Sequence, residues 1–161
     1  MLSVKNRAEI CRIGLVNGLF TKEDVICWAD KIIETQEAVE YEIIEISLLG
    51  SSSKADIALK LFEVKGIPDN QNIINVFLGL CSDNYNANKF NADDICTFLY
   101  RLVSNKSDIH ISSDIKQKIH YLSDGYYLAS EGTYGDLTDI CKDLKEFLDQ
   151  YTDYAKEFVY L

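Results

Sequence analysis

Proline is almost missing from this sequence: Pro68 is the only one in 161 residues. Histidine is nearly as scarce, with His110 and His120 alone, and no Cys-x-x-Cys pair occurs. Two histidines and five scattered cysteines offer no zinc-ligand spacing, so no metal is expected. Cys11, Cys27, Cys81, Cys96 and Cys141 each sit among apolar neighbours and read as reduced thiols used as small core hydrophobes. Glycine-rich phosphate loops, a Gly-x-Ser-x-Gly elbow and a His-Glu-x-x-His helix are all lacking. His110 lies in a polar connector and His120 in a helical pattern, neither within a catalytic signature. Carboxylate pairs are common but have no sugar or metal context. The expectation is a chain with no catalytic residues and no cofactor.

Positive charge is also short. Sixteen bases stand against 26 acids, for a formal net charge of −10. Nucleic-acid binders need Lys and Arg to displace counterions from phosphate, and anionic membranes make the same demand, so neither partner is expected. No apolar run approaches membrane-spanning length, and Met1 to Arg7 leads into Ala8-Glu9-Ile10 with no signal-peptide core or cleavage site. The cytoplasm is the expected compartment.

What the sequence does contain is apolar residues at helical spacing. Ile95, Phe98, Leu99, Leu102 and Val103 form one stripe. Ile115, Ile119, Leu122, Tyr126 and Ala129 form a second, and Ile140, Leu144, Phe147, Leu148, Tyr151, Ala155 and Phe158 a third. Thr21 before Lys22-Glu23-Asp24, and Asn91 before Ala92-Asp93-Asp94, have the composition of helix caps. Gly66-Ile67-Pro68-Asp69 reads as a stop followed by a start. Most glycines read as helix ends or turns, with Gly14 the exception, where close packing is expected. The pattern predicts helices over about 4–17, 22–36, 38–49, 54–65, 70–83, 92–104, 113–130 and 136–158. Residues 39–49 also fit a buried strand, but no other segment offers a strand to pair with it. The expected fold is all-α, a single-domain bundle of roughly seven or eight helices spanning 1–161.

The acids are unevenly spread. Residues 21–50 carry a net −6 and residues 112–161 a net −5. Glu23, Asp30, Glu34 and Glu37 fall at steps of seven, four and three, one face of a helix whose other side carries Val25, Trp28, Ala29 and Ile32. Asp139, Asp143, Glu146 and Asp153 repeat the spacing, diluted by Lys142, Lys145 and Lys156. Like charges at i, i+4 oppose helix formation by a few tenths of a kcal/mol, yet such a stripe suits a positively charged partner. Seven of the ten tyrosines follow residue 120. Tyr126, Tyr151 and Tyr121 sit on core stripes, whereas Tyr127, Tyr134 and Tyr154 fall off them and are candidates for an interface.

The run from Gly18 to Asp30, GLFTKEDVICWAD, the run Tyr41 to Leu49, YEIIEISLL, and the stretches EGTYGDL from Glu131 and LKEFL from Leu144 resemble small helical immunity proteins encoded beside bacterial polymorphic and contact-dependent toxins. The resemblance covers about a third of the chain and is one of functional class. It implies a cytoplasmic inhibitor that binds a cognate toxin domain, a basic one if the toxin attacks nucleic acid. The residues expected at the interface are Glu23, Asp30, Glu34, Glu37, Asp139, Asp143, Glu146, Asp153, Tyr127, Tyr134 and Tyr154. The other reading is a non-enzymatic helical adaptor or regulatory protein with a cellular partner.

Overall fold

The computed structural model describes residues 1–104 and 109–159. Among them every regular element is an α-helix: α1 Val4–Asn17, α2 Lys22–Thr35, α3 Tyr41–Ser47, α4 Lys54–Glu63, α5 Asn70–Asn86, α6 Ala92–Ser104, α7 Ser113–Ser130, α8 Leu137–Asp149 and α9 Thr152–Val159. The all-α expectation holds. Tyr160 and residues 105–108 of the polar connector that holds His110 lie outside the described residues.

Local chemistry sets most of the helix starts. Thr21 and Asp24 form a reciprocal capping box, the hydroxyl accepting from the Asp24 amide at 3.1 Å and the carboxylate from the Thr21 amide at 2.8 Å. Asn91 and Asp94 repeat it at 2.8 and 3.1 Å. Ser3, Ser53, Ser112 and Asp136 each accept from an amide three residues on. Gly18 closes α1 in the left-handed region, its N–H bonded to the Gly14 carbonyl.

Two expectations about continuity are corrected. The helix expected over 136–158 breaks after Asp149, where the Tyr151 amide bonds the Leu148 carbonyl and the Thr152 hydroxyl donates to the Asp149 carbonyl at 3.1 Å. The turn brings the Tyr151 carbonyl against Gly79, where a Cβ would meet it at 2.4 Å. Gly79 and Gly125 are therefore close-packing positions inside α5 and α7, not helix ends; a Cβ at Gly125 would meet Ile140 at 2.7 Å. At Gly14 the Phe20 ring occupies the space a Cβ would need.

The chain contacts cluster into two units, Met1–Asp69 with Glu157–Leu161, and Asn70–Lys156. In the first, α1 packs on α4, α4 on α3, and α3 on α2. Its core gathers Ala8, Cys11, Leu15, Val25, Trp28, Ala29, Ile32, Ile43, Ile46, Ile57, Leu61 and Val64. Fully burying one such Ile or Leu contributes about 1.5–3 kcal/mol. Phe158 packs on this core and stacks on Phe20 at 5.7 Å between ring centres. In the second unit, α6 packs on α7, α7 on α8, and α8 on α5. Asp149 ties the last pair, accepting from Lys145 at 2.7 Å, Ser82 at 3.1 Å and Asn86 at 3.2 Å.

Helix α1 buries charged side chains. Residues 5–11 are buried without interruption, polar side chains included. Glu9 sits between Lys5 at 2.6 Å and the Arg12 guanidinium at 2.7 Å, with its side chain only 3% exposed. Lys5 also donates to the Phe62 carbonyl at 2.8 Å, and both cations lie over the Phe62 ring at 5.2 and 5.4 Å. Removing the anion strands the buried Lys5 and the half-buried Arg12. Glu9→Gln is expected to cost about 3–5 kcal/mol in urea unfolding, and a loss below about 1 kcal/mol would contradict the network.

Burial pushes the Cys11 and Cys81 thiols well up and that of Cys96 up to about 12, from an ordinary value of 9.0. A thiol raised in the folded state stabilises fully below the unfolded value and loses that contribution as pH climbs through the folded one. Stability under reducing conditions should hold to about pH 9 and then fall by up to about 1.4 kcal/mol per pH unit per buried thiol. The Cys81→Ala/Cys96→Ala double variant should show a flatter urea-midpoint profile from pH 8 to 10.5.

Candidate protein-binding face

The eight acids of residues 21–50 divide by task once folded. Asp24 is spent in the α2 cap. Asp30 accepts from the Ser47 hydroxyl and so ties the middle of α2 to the end of α3. Glu45 of α3 pairs with Lys60 of α4 at 2.9 Å, and Lys60 reaches Glu63 at 2.8 Å. Those two carboxylates hold the Lys60 ammonium well above its usual range. Among the described residues no hydrogen bond or ion pair engages the side chains of Glu23, Glu34, Glu37, Glu40 or Glu42. The first four of these are exposed, and Glu42 is half-buried.

Beside these acids lies an apolar stripe absent from the expectations above. Helix α3 buries Ile43 and Ile46, which face the core, but leaves Tyr41, Ile44 and its C-capping Leu48 at 69%, 41% and 79% exposed. Steps of three and four place the three on one side of a helix. The signal was present in the sequence: YEIIEISLL holds more apolar residues than one face of a short helix can bury. Glu37, Glu40 and Glu42 lie within four residues of Tyr41 along the chain. An apolar centre with a charged margin is the usual anatomy of a protein interface.

Glu23, Asp30 and Glu34 lie on α2 as expected, all exposed. Glu37 does not. Helix α2 ends at Thr35, whose hydroxyl turns back to the Lys31 carbonyl, and Gln36 is extended. Glu37 therefore belongs to the link before α3.

The second acidic face is more fully neutralised. Asp139 and Glu146 are exposed on α8, but Asp143 is half-buried and accepts from the Tyr121 hydroxyl at 3.2 Å. That contact pushes the Tyr121 phenol up, and it corrects the placement of Tyr121 on a core stripe: the ring is exposed. Asp153 lies beyond the break, on α9, so the four acids do not share one helix face. It pairs with Lys156 at 2.7 Å, which holds its carboxyl below the usual range. Tyr127 and Tyr134 are exposed, as expected of interface residues, and so is Tyr154, whose ring centre lies 6.4 Å from that of Tyr151.

The cysteines also divide. Cys11, Cys81 and Cys96 are buried and Cys141 is half-buried, but Cys27 is exposed, which corrects its assignment to the core. It lines a shallow groove with Lys22, Glu23, Ile26 and Gly50. His110 and His120 are both exposed. Among the described residues no helix is long and apolar enough to cross a membrane, and no three His, Cys, Asp or Glu side chains converge as metal ligands. Comparison with family models, with curated proteins and with solved structures found no match.

Exposure ranks the thiols for alkylation. Brief iodoacetamide treatment of the native chain, read by peptide mass spectrometry, should label Cys27 first and leave Cys11, Cys81 and Cys96 unmodified until denaturant is added. Labelling of Cys81 at the rate of Cys27 would contradict the packing described.

Proposed function

We propose that this chain is a non-catalytic binding protein whose α2–α3 face captures a positively charged protein, and that it acts in the cytoplasm as the immunity protein of a bacterial toxin domain. The exposed Tyr41–Ile44–Leu48 stripe, bordered by carboxylates with no partner among the described residues, carries the reading. Leaving those apolar side chains in water gains nothing for folding, and like charges beside them oppose it. Both features become favourable when a cationic surface closes over the stripe: burial supplies affinity, and the margin supplies encounter rate and orientation.

Two further observations support the same reading. The buried thiols are held in the neutral form by their surroundings, the opposite of an activated nucleophile. The sequence resembles toxin immunity proteins in stretches that include all of α3. An acidic inhibitor competes directly with nucleic acid for a basic cleft, which suits a toxin that attacks RNA or DNA. The helical-adaptor reading shares the face and differs only in the identity of the partner.

The experiment has two arms. The partner retained by the chain in its native host is purified and titrated with variants of the face. Tyr41→Ala and Leu48→Ala are each expected to weaken binding by about 1–3 kcal/mol, mainly through faster dissociation. The Glu34→Lys/Glu37→Lys/Glu40→Lys variant is expected to slow association about 10-fold or more and to flatten its salt dependence. Protection of Cys27 from alkylation in the complex reports the same face. Unchanged affinity across these variants would remove it from consideration. In the second arm the partner is expressed alone and with the chain. Growth arrest relieved by the chain supports toxin neutralisation, and a harmless partner points to the adaptor reading instead.

A further inference from the structure

The second unit carries a groove of its own. It runs between the outward sides of α6 and α7, with a volume of about 320 Å³. Asp93, Asp124, Tyr100, Tyr126 and Tyr127 line it, with the buried Cys96 among them. Among the described residues no lysine, arginine or histidine lines it.

The remaining polar groups of the wall are already satisfied. Thr97 donates to the Asp93 carbonyl at 2.9 Å, Ser123 to the Ile119 carbonyl at 2.8 Å, and Ser130 to the Tyr127 carbonyl at 2.8 Å. Hydroxyls bonded to their own helix have little to offer a ligand. What the groove presents is carboxylate and aromatic face. Burial pushes the Tyr126 phenol up, and the charges of Asp93 and Asp94 act in the same direction.

We propose that the α6–α7 groove receives an arginine side chain presented by a partner protein. Charge complementarity selects a cation, since two acids and, among the described residues, no base line the concavity. Ring faces select a flat one: a guanidinium stacks on tyrosine and can also give paired hydrogen bonds to a carboxylate, whereas an ammonium is a compact, strongly hydrated charge. Tyr127, which the sequence singled out for lying off the core stripe, gains a role as one wall of this groove. The inference rests on the protein-binding reading only in taking the cation from a protein.

The test uses the full chain, labelled with ¹⁵N, and three short probes: Ac-Gly-Arg-Gly-NH₂, its lysine counterpart, and its citrulline counterpart, which keeps the shape and loses the charge. The arginine peptide is expected to shift amide resonances within residues 93–100 and 123–130 saturably in the millimolar range. The lysine peptide should bind several-fold more weakly, and the citrulline peptide should give no response. Asp93→Asn/Asp124→Asn should weaken the arginine response about 10-fold or more, and Tyr127→Ala should weaken it with both carboxylates kept. Unchanged thermal unfolding establishes that each variant is folded. Equal responses from arginine and citrulline, equal responses from arginine and lysine, shifts that map elsewhere, or an undiminished response in the aspartate variant would each overturn the proposal. Because no α2 or α3 residue is changed, a failure here leaves the proposed function standing, and the reverse also holds.

Discussion

The buried carboxylate of Glu9 is the point on which the first unit turns. A helix buried over a continuous run of seven residues ordinarily has to be apolar all round. Helix α1 instead carries Lys5, Asn6, Arg7 and Glu9 through that run, and a carboxylate taken out of water is costly unless it is paired in place. Glu9 meets that condition by accepting from Lys5 on one side and Arg12 on the other. Lys5 then spends a second hydrogen on the Phe62 carbonyl, which couples α1 to α4. Asn6 adds another long-range tie by accepting from the Asp69 amide at 2.9 Å. With α4 held, Lys60 on its surface fixes α3 through Glu45, and Asp30 fixes α2 through Ser47. The α2–α3 face therefore inherits its geometry from a buried ion pair two helices away.

That dependence explains how the chain carries uncompensated acids at low cost. Acids that position helices are paired or serve as caps; of those left over, Glu23 and Glu34 stand on the side of α2 opposite Val25, Trp28, Ala29 and Ile32, and Glu37, Glu40 and Glu42 lie on the link and the first turn of α3. Solvent screens their mutual repulsion, while the core residues behind them are fully withdrawn from water. The second unit handles its acids differently. Asp136 caps α8, Asp143 accepts from Tyr121, Asp149 from Lys145, Ser82 and Asn86, and Asp153 pairs with Lys156. The carboxylates of the α6–α7 groove are left outside these networks. One unit thus offers a broad apolar strip with a charged margin, and the other a narrow cleft lined by rings and two acids. These are different recognition chemistries within one strongly acidic chain.

The sequence by itself determined the helices and most of their starts. Periodicity and capping are local properties: Thr21 and Asp24, or Asn91 and Asp94, need no other part of the chain to meet. The bounds of α1, α6 and α7 follow from the sequence without correction. Trp28 and the stripes of α6 to α8 were legible because a helix in water must turn its apolar side inward wherever its partner lies. Tertiary structure alone decided the rest. It broke the last helix after Asp149, because the Tyr151 carbonyl and the α9 backbone pack against Gly79, a contact between residues about seventy positions apart. It separated the carboxylates that are spent from those that are free, since a carboxylate's partner is chosen by distance in space. It also left Tyr41, Ile44 and Leu48 in solvent, because a seven-residue helix has only one side to bury and Ile43 and Ile46 already occupy it.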